Sequence, residues 1–138
     1  MDELVVDSSV FIAAFKAGDP FHEQAHEIIE QIGIKYRAFV SCLVPVEVVG
    51  AIARVVGAMN AERIRKRFAR WVKGGFLTIE ELDKRRTNEA QLIAVKYRLR
   101  GADAVIVQLA SEKRCRLASF DGEILQKYEK VLQPAAKR

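Results

Sequence analysis

Four short stretches read as β-strands: Leu4-Val5-Val6, Ala38-Phe39-Val40, Phe76-Leu77-Thr78-Ile79 and Arg116-Leu117-Ala118-Ser119, each separated from the next by helix-patterned sequence. Runs that are apolar at successive positions belong to strands buried on both faces. The intervening segments carry apolar residues at helical spacing instead. Phe21, Ala25, Ile28, Ile29 and Ile32 mark a helix reaching about Ile32 after the Gly18-Asp19-Pro20 turn, and Val48, Ala51, Ile52 and Val55 mark one opened by Pro45. Further helices are expected over Val10–Phe15 with a Ser8 or Ser9 cap, Ala61–Lys73 with an Asn60 cap, and Thr87–Tyr97. Two more should cover Ala104–Lys113 and Ile124–Tyr128, and Val131-Leu132 is a candidate fifth strand. Strands alternating with helices imply an α/β fold with a parallel sheet covered on both sides.

The chain of 138 residues, half of them apolar, is enough for one core, so a single domain is expected over 1–133 with a short basic tail over 134–138. Its acidic N-terminus, Met1-Asp2-Glu3, lacks the sections of a signal peptide, and no apolar run is long enough to cross a bilayer. A cytoplasmic location without membrane contact is therefore expected. Cys42 and Cys115 have no neighbours at metal-ligand spacing and read as buried thiols. The formal charge of +5 favours a polyanionic partner, without separating RNA from DNA.

Four acids fall where such a fold places its ligands, beyond the carboxyl ends of the strands. Asp7 ends the first strand and Asp121 follows the fourth. Glu47 is expected in the first turn of the helix after strand two, and Asp103 at the opening of the helix leading into strand four. Each has a plain structural reading alone: caps for Asp7 and Asp103, a dipole partner for Glu47, a turn for Asp121. Together they form a cluster of like charges that is unfavourable unless a cation shares it. With oxygen donors and no histidine, the set suits Mg²⁺ or Mn²⁺ rather than zinc.

These residues carry a resemblance. Val5-Val6-Asp7-Ser8-Ser9-Val10-Phe11-Ile12 resembles the first motif of the PIN-domain nucleases, and Glu47 within Val44-Pro45-Val46-Glu47-Val48 matches their acidic helix residue. Ala102-Asp103-Ala104-Val105-Ile106-Val107-Gln108-Leu109-Ala110 and Leu117-Ala118-Ser119-Phe120-Asp121 are similar to the later motifs. The resemblance spans about Leu4 to Leu132, and size and layout look most like VapC-type toxins of toxin–antitoxin pairs. It implies a three-layer α/β/α sandwich with strand order 3-2-1-4-5 and a Mg²⁺- or Mn²⁺-dependent endoribonuclease. Asp7, Glu47, Asp103 and Asp121 would be the metal-binding and catalytic residues, with Ser9 and Ser119 holding carboxylates by hydrogen bonds. It further implies an RNA substrate, a homodimer and a small antitoxin whose tail fills the acidic site. Two alternatives stand beside this: a housekeeping RNA-processing nuclease without an antitoxin, and a non-catalytic nucleic-acid-binding module on the same fold.

Two other signals compete. His22-Glu23-Gln24-Ala25-His26 matches the H-E-x-x-H pattern of zinc metallopeptidases, but these are the only histidines, so a third ligand would be a downstream carboxylate. The segment Glu62–Lys73 has one apolar side, Ile64, Phe68, Trp71 and Val72, and one basic side that includes Arg63, Lys66, Arg67 and Arg70. The basic side reads as a solvated face or as RNA contacts.

Overall fold

The computed structural model describes residues 1–132; the basic tail lies outside the described residues. The elements follow in the order β1 (Asp2–Val6), α1 (Ser8–Phe15), α2 (His22–Glu30), β2 (Tyr36–Ser41), α3 (Leu43–Val55) and α4 (Ala58–Lys73). The second half adds β3 (Leu77–Glu80), α5 (Lys84–Tyr97), α6 (Gly101–Lys113), β4 (Arg116–Ala118) and α7 (Gly122–Lys127). The four strands form one parallel sheet in the order β3-β2-β1-β4.

That order dictates the layers. From β1 to β2 to β3 the chain moves one way across the sheet, and from β3 it returns past β1 to β4. Right-handed crossovers that reverse direction put their helices on opposite faces. Helices α1 to α4 therefore cover one face, where α1 packs on α2 and α3, and α3 on α4. Helices α5 and α6 pair on the other, with α6 lying across β1, β2 and β4. Sandwiched between them, Leu4, Val5 and Val6 of β1 are fully buried. Removing such side chains from water contributes roughly 1.5–3 kcal/mol each. On the first face Phe11 packs against Phe68 at 5.0 Å and Trp71 at 6.0 Å between ring centroids, which fastens α1 to α4.

The expected fifth strand is reduced to one parallel bridge. Leu117 donates its N–H to Lys130 O at 2.9 Å and accepts from Leu132 N at 2.7 Å. Only Val131 and Leu132 are apolar there, too short a run to extend the ladder at an open edge. Helix starts also differ from expectation. Helix α4 begins at Ala58 after Gly57, whose φ of +130° only glycine adopts without strain, so Asn60 sits inside the first turn rather than capping it. At α1, Asp7 takes the cap position without a side-chain cap bond, and neither serine caps the helix. Cys42 and Cys115 are free and half-buried rather than fully enclosed. Among the described residues no helix is long and apolar enough to cross a membrane.

Candidate active site

The order in which the chain adds strands reverses between β1 and β4, and in this kind of fold ligands bind in the crevice beyond the carboxyl ends of such a strand pair. Asp7 is the residue after β1. Its N–H still pairs with Ala118 O at 2.9 Å, which fixes its backbone at the last rung beside β4. The residue is 5% exposed. Two hydroxyls donate to the same oxygen, Oδ2: Ser9 Oγ at 2.7 Å and Ser119 Oγ at 2.9 Å. Each hydroxyl also accepts a backbone N–H from the loop after β4, Phe120 to Ser9 at 3.0 Å and Asp121 to Ser119 at 3.1 Å. The two serines thereby tie the Asp7 carboxylate to the backbone that carries Asp121. Oδ1 of Asp7 has only a long contact, 3.4 Å, to Ser8 Oγ.

Asp121 divides its carboxylate in a similar way. Oδ1 caps α7, accepting from Glu123 N at 3.0 Å and Ile124 N at 3.1 Å, while Oδ2 faces Arg100 Nη2 at 3.6 Å. The capping role and a place at the crevice are thus carried by different oxygens of one side chain.

Asp103 lies in the first turn of α6, which starts at Gly101, three residues before the expected Ala104. Burial pushes its carboxyl above the ordinary aspartate value, and the charges of Asp121 and Asp7 push further in the same direction. Its Oδ2 is buried without a hydrogen-bond partner, and faces Arg100 Nε at 3.6 Å. Glu47 stands on α3 beyond the first turn, because that helix begins at Leu43, ahead of Pro45. Glu47 is exposed as a residue, yet partial burial of its carboxyl, then Asp7 and Asp103, hold it above the ordinary glutamate value, with Ser8 pulling the other way. The charges of Asp7 and Asp103 act on Glu47, and those of Asp121 and Asp7 act on Asp103, which links the four acids in a chain of like-charge contacts.

Among the described residues, however, no three His, Cys, Asp or Glu side chains close into a metal cage as they stand. The donor chemistry nevertheless suits a hard divalent cation. The donors are all carboxylate oxygens, and one buried oxygen, Asp103 Oδ2, lacks a hydrogen-bond donor.

Sequence reasoning passed over Arg100 and Glu123. Arg100 Nε is 3.4 Å from Glu123 Oε2, so one guanidinium faces Asp103, Asp121 and Glu123 together. The available signal was its place three residues before Asp103, a spacing that meets on a helix.

The competing signals resolve structurally. His22 Nδ1 lies 2.9 Å from Ala13 O on α1 and His26 Nε2 lies 3.6 Å from Glu30, with no third ligand assembled among the described residues. That pattern fits a pair of packing and surface side chains on α2. On α4, Arg67 is committed within the fold, since its Nη2 donates to Glu30 at 2.9 Å and its guanidinium lies 4.7 Å from the Trp71 ring centroid. Arg63 only reaches Met59 Sδ, at 3.9 Å. No ion pair joins any of Arg63, Lys66, Arg67 or Arg70 to the four acids among the described residues.

Comparison with known proteins places the fold. No curated protein sequence matches the chain. Among solved structures, it resembles VapC20 of Mycobacterium tuberculosis, a sarcin–ricin loop cleaving toxin, at 20% identity and a TM-score of 0.73, covering 93% of this chain and 98% of that one. A toxin–antitoxin complex from Klebsiella pneumoniae gives 16% identity and a TM-score of 0.70, covering 95% and 97%. VapBC2 from Rickettsia felis, bound to a DNA fragment from its promoter, gives 10% and 0.69, again covering 95% and 97%. These likenesses establish a shared fold. The PIN domain family model matches residues 4–130, nearly the whole chain, and the protein therefore belongs to the PIN-domain family.

Proposed function

We propose that this protein is a metal-dependent endoribonuclease acting as the toxin of a VapBC-type toxin–antitoxin pair. The observation that carries the reading is the carboxylate group after β1 and β4: Asp7 is held by two serines, Asp103 Oδ2 is buried without a donor, and the cation facing Asp103 and Asp121 is the loosely held Arg100. A fold assembled for stability alone has no reason to retain that arrangement.

Asp7, Asp103 and Asp121 would hold Mg²⁺ or Mn²⁺, with Glu47 joining directly or through a water. The ion supplies activation of a water molecule and neutralisation of charge on the phosphate. The residues of the chain do the positioning. Ser9 and Ser119 hold Asp7 by Oδ2 and leave Oδ1 with the long Ser8 contact, while the α7 amides hold Asp121 by Oδ1 and leave Oδ2 free of hydrogen bonds. Cleavage would leave 5′-phosphate and 3′-hydroxyl ends. The basic surplus of the chain suits a polyanionic substrate, and the family resemblance adds a homodimer, a cytoplasmic setting and an antitoxin partner.

Cleavage of labelled RNA with Mg²⁺, with EDTA, and with Asp7→Asn provides the test. The expected result is cleavage with Mg²⁺ alone and a loss of about a thousandfold or more in the variant, whose circular dichroism spectrum stays native. Cleavage that survives both EDTA and Asp7→Asn would refute the assignment. Growth arrest on expression, relieved by a small neighbouring protein that co-purifies, would separate the toxin from a housekeeping nuclease.

A further inference from the structure

Arg100 occupies the N-cap position of α6, and its side chain is 74% exposed. Its three carboxylate contacts, 3.4–3.6 Å to Glu123, Asp103 and Asp121, are longer than the ~2.7–2.9 Å of charge-assisted hydrogen bonds. Attraction holds the guanidinium over the acids, but no hydrogen bond locks it there, and Asp103 Oδ2 stays without a donor.

Arg86 shows how a structural arginine in this protein is held. It is 12% exposed and donates at 2.8 Å to Glu112, 2.9 Å to Glu80 and 2.8 Å to the Glu81 carbonyl. Arg100 has none of that fixation.

We infer that Arg100 is a switching cation, the counter-ion of Asp103 and Asp121 before the metal binds and a ligand of an RNA phosphate afterwards. The inference rests on the nuclease reading above. A divalent cation taking the Asp103 and Asp121 charges removes the attraction that holds the guanidinium and adds repulsion of like sign. An exposed side chain at a helix cap can swing away without repacking a core. Glu123, its third partner, keeps Lys127 Nζ at 2.8 Å when Arg100 leaves. The planar donor set of a guanidinium matches the oxygens of a phosphate, the group that must arrive beside these acids.

A consequence separates this role from a structural one. Removing the guanidinium should strengthen metal binding and weaken RNA binding, whereas a residue that merely supports the site would move both the same way. Mn²⁺ affinity is read by calorimetry without RNA. RNA affinity is read by anisotropy of a labelled single-stranded phosphorothioate RNA at saturating Mn²⁺. For Arg100→Gln we expect Mn²⁺ affinity to rise about three- to fivefold and RNA affinity to fall about tenfold. Arg100→Lys, which keeps the charge without the fork, should bind Mn²⁺ like the wild type and recover only part of the RNA affinity. Unchanged Mn²⁺ affinity in Arg100→Gln, or a joint fall in both affinities, overturns the switch. Asp103→Asn in the same titration isolates the underlying reading. If it loses Mn²⁺ binding while Arg100→Gln stays at wild-type values, the switch alone is wrong. If it binds Mn²⁺ as the wild type does, the metal assignment and the switch fall together.

Discussion

Helix α6 carries one carboxylate near each end, and the two are treated oppositely. At its last turn Glu112 accepts from Arg86 at 2.8 and 3.1 Å, Arg85 at 2.9 Å and Gln108 at 3.1 Å. Its hydrogen bond to Arg86, above all, pulls its carboxyl down to about 2. At the first turn Asp103 has a buried oxygen with no donor, and burial with the Asp121 and Asp7 charges pushes it up. The same helix and the same functional group give a tightly hydrogen-bonded ion network at one end and, at the other, a cluster faced only by the loosely held Arg100. A network in which every charge is matched can be explained by stability, here by joining β3, α5 and α6 through Glu80, Arg86, Glu112 and Lys113. A buried carboxylate oxygen with no hydrogen-bond donor calls for a ligand.

The sharpest break in that contrast is Asp103→Asn. A carboxyl whose folded-state value is raised is destabilising once ionised. Its contribution favours the fold below the unfolded value near 3.8 and is lost as pH rises through the higher folded value. At neutral pH, without metal, the asparagine variant should therefore melt ~1–3 °C above the wild type, while RNA cleavage falls about a thousandfold. Thermal denaturation and a cleavage assay on the same preparation check both halves. A variant that melts lower and keeps its activity would reverse the assignment of this end of the helix.

Glu112→Gln is the counterpart, and should act on stability instead. Removing one partner leaves Arg86 and Arg85 short of a carboxylate, so a loss of about 2 kcal/mol is expected, discounted from a fully buried pair because Glu112 is 21% exposed. The pH dependence runs opposite to that of Asp103. A depressed carboxyl stabilises above its unfolded value of 4.5, and that stabilisation disappears as pH falls towards about 2. The wild type should lose stability across that acid window more steeply than the glutamine variant, as urea titrations at a series of pH values would show. At neutral pH the metal affinity of Glu112→Gln should equal that of the wild type.

Much of this contrast is already visible in the amino-acid order, though unevenly. The apolar run Leu4-Val5-Val6 ending at Asp7 marks a strand leaving a core, and the structure puts that residue at the carboxyl edge where the strand order reverses. The acids after β1 and β4 are legible for the same reason, since a short loop leaves little freedom in where they go. What could not be read depends on partners far apart in the chain. Arg67 looks like one of several surface cations until Glu30, 37 positions away, takes it up. Arg100 likewise belongs to no local pattern that links it to Asp121 and Glu123. Local competition explains the remaining differences: Gly57 with its positive φ starts α4 before Asn60 can cap it, and two apolar residues at Val131-Leu132 make a bridge rather than a strand.

The smallest expected effect concerns the basic side of α4, where Arg67 and Arg70 can be compared as neighbours on one face. Arg67 is one-third exposed, bonded to Glu30 and laid over the Trp71 and Phe15 rings at 4.7 and 5.6 Å. Arg70 is exposed and makes no ion pair among the described residues. Arg67→Gln should cost about 0.5–1 kcal/mol through the lost ion pair and ring contact, and shift RNA affinity little. Arg70→Gln should leave stability within about 0.5 kcal/mol of the wild type. If α4 contacts RNA, Arg70→Gln should also lower the salt dependence of binding by about one phosphate contact. Anisotropy measured across a salt series decides the matter, because a solvated face leaves that slope unmoved in both variants. A reduced slope in Arg67→Gln, with stability intact, would instead mean that Glu30 releases this arginine when RNA arrives, making it a mobile cation of the kind assigned to Arg100.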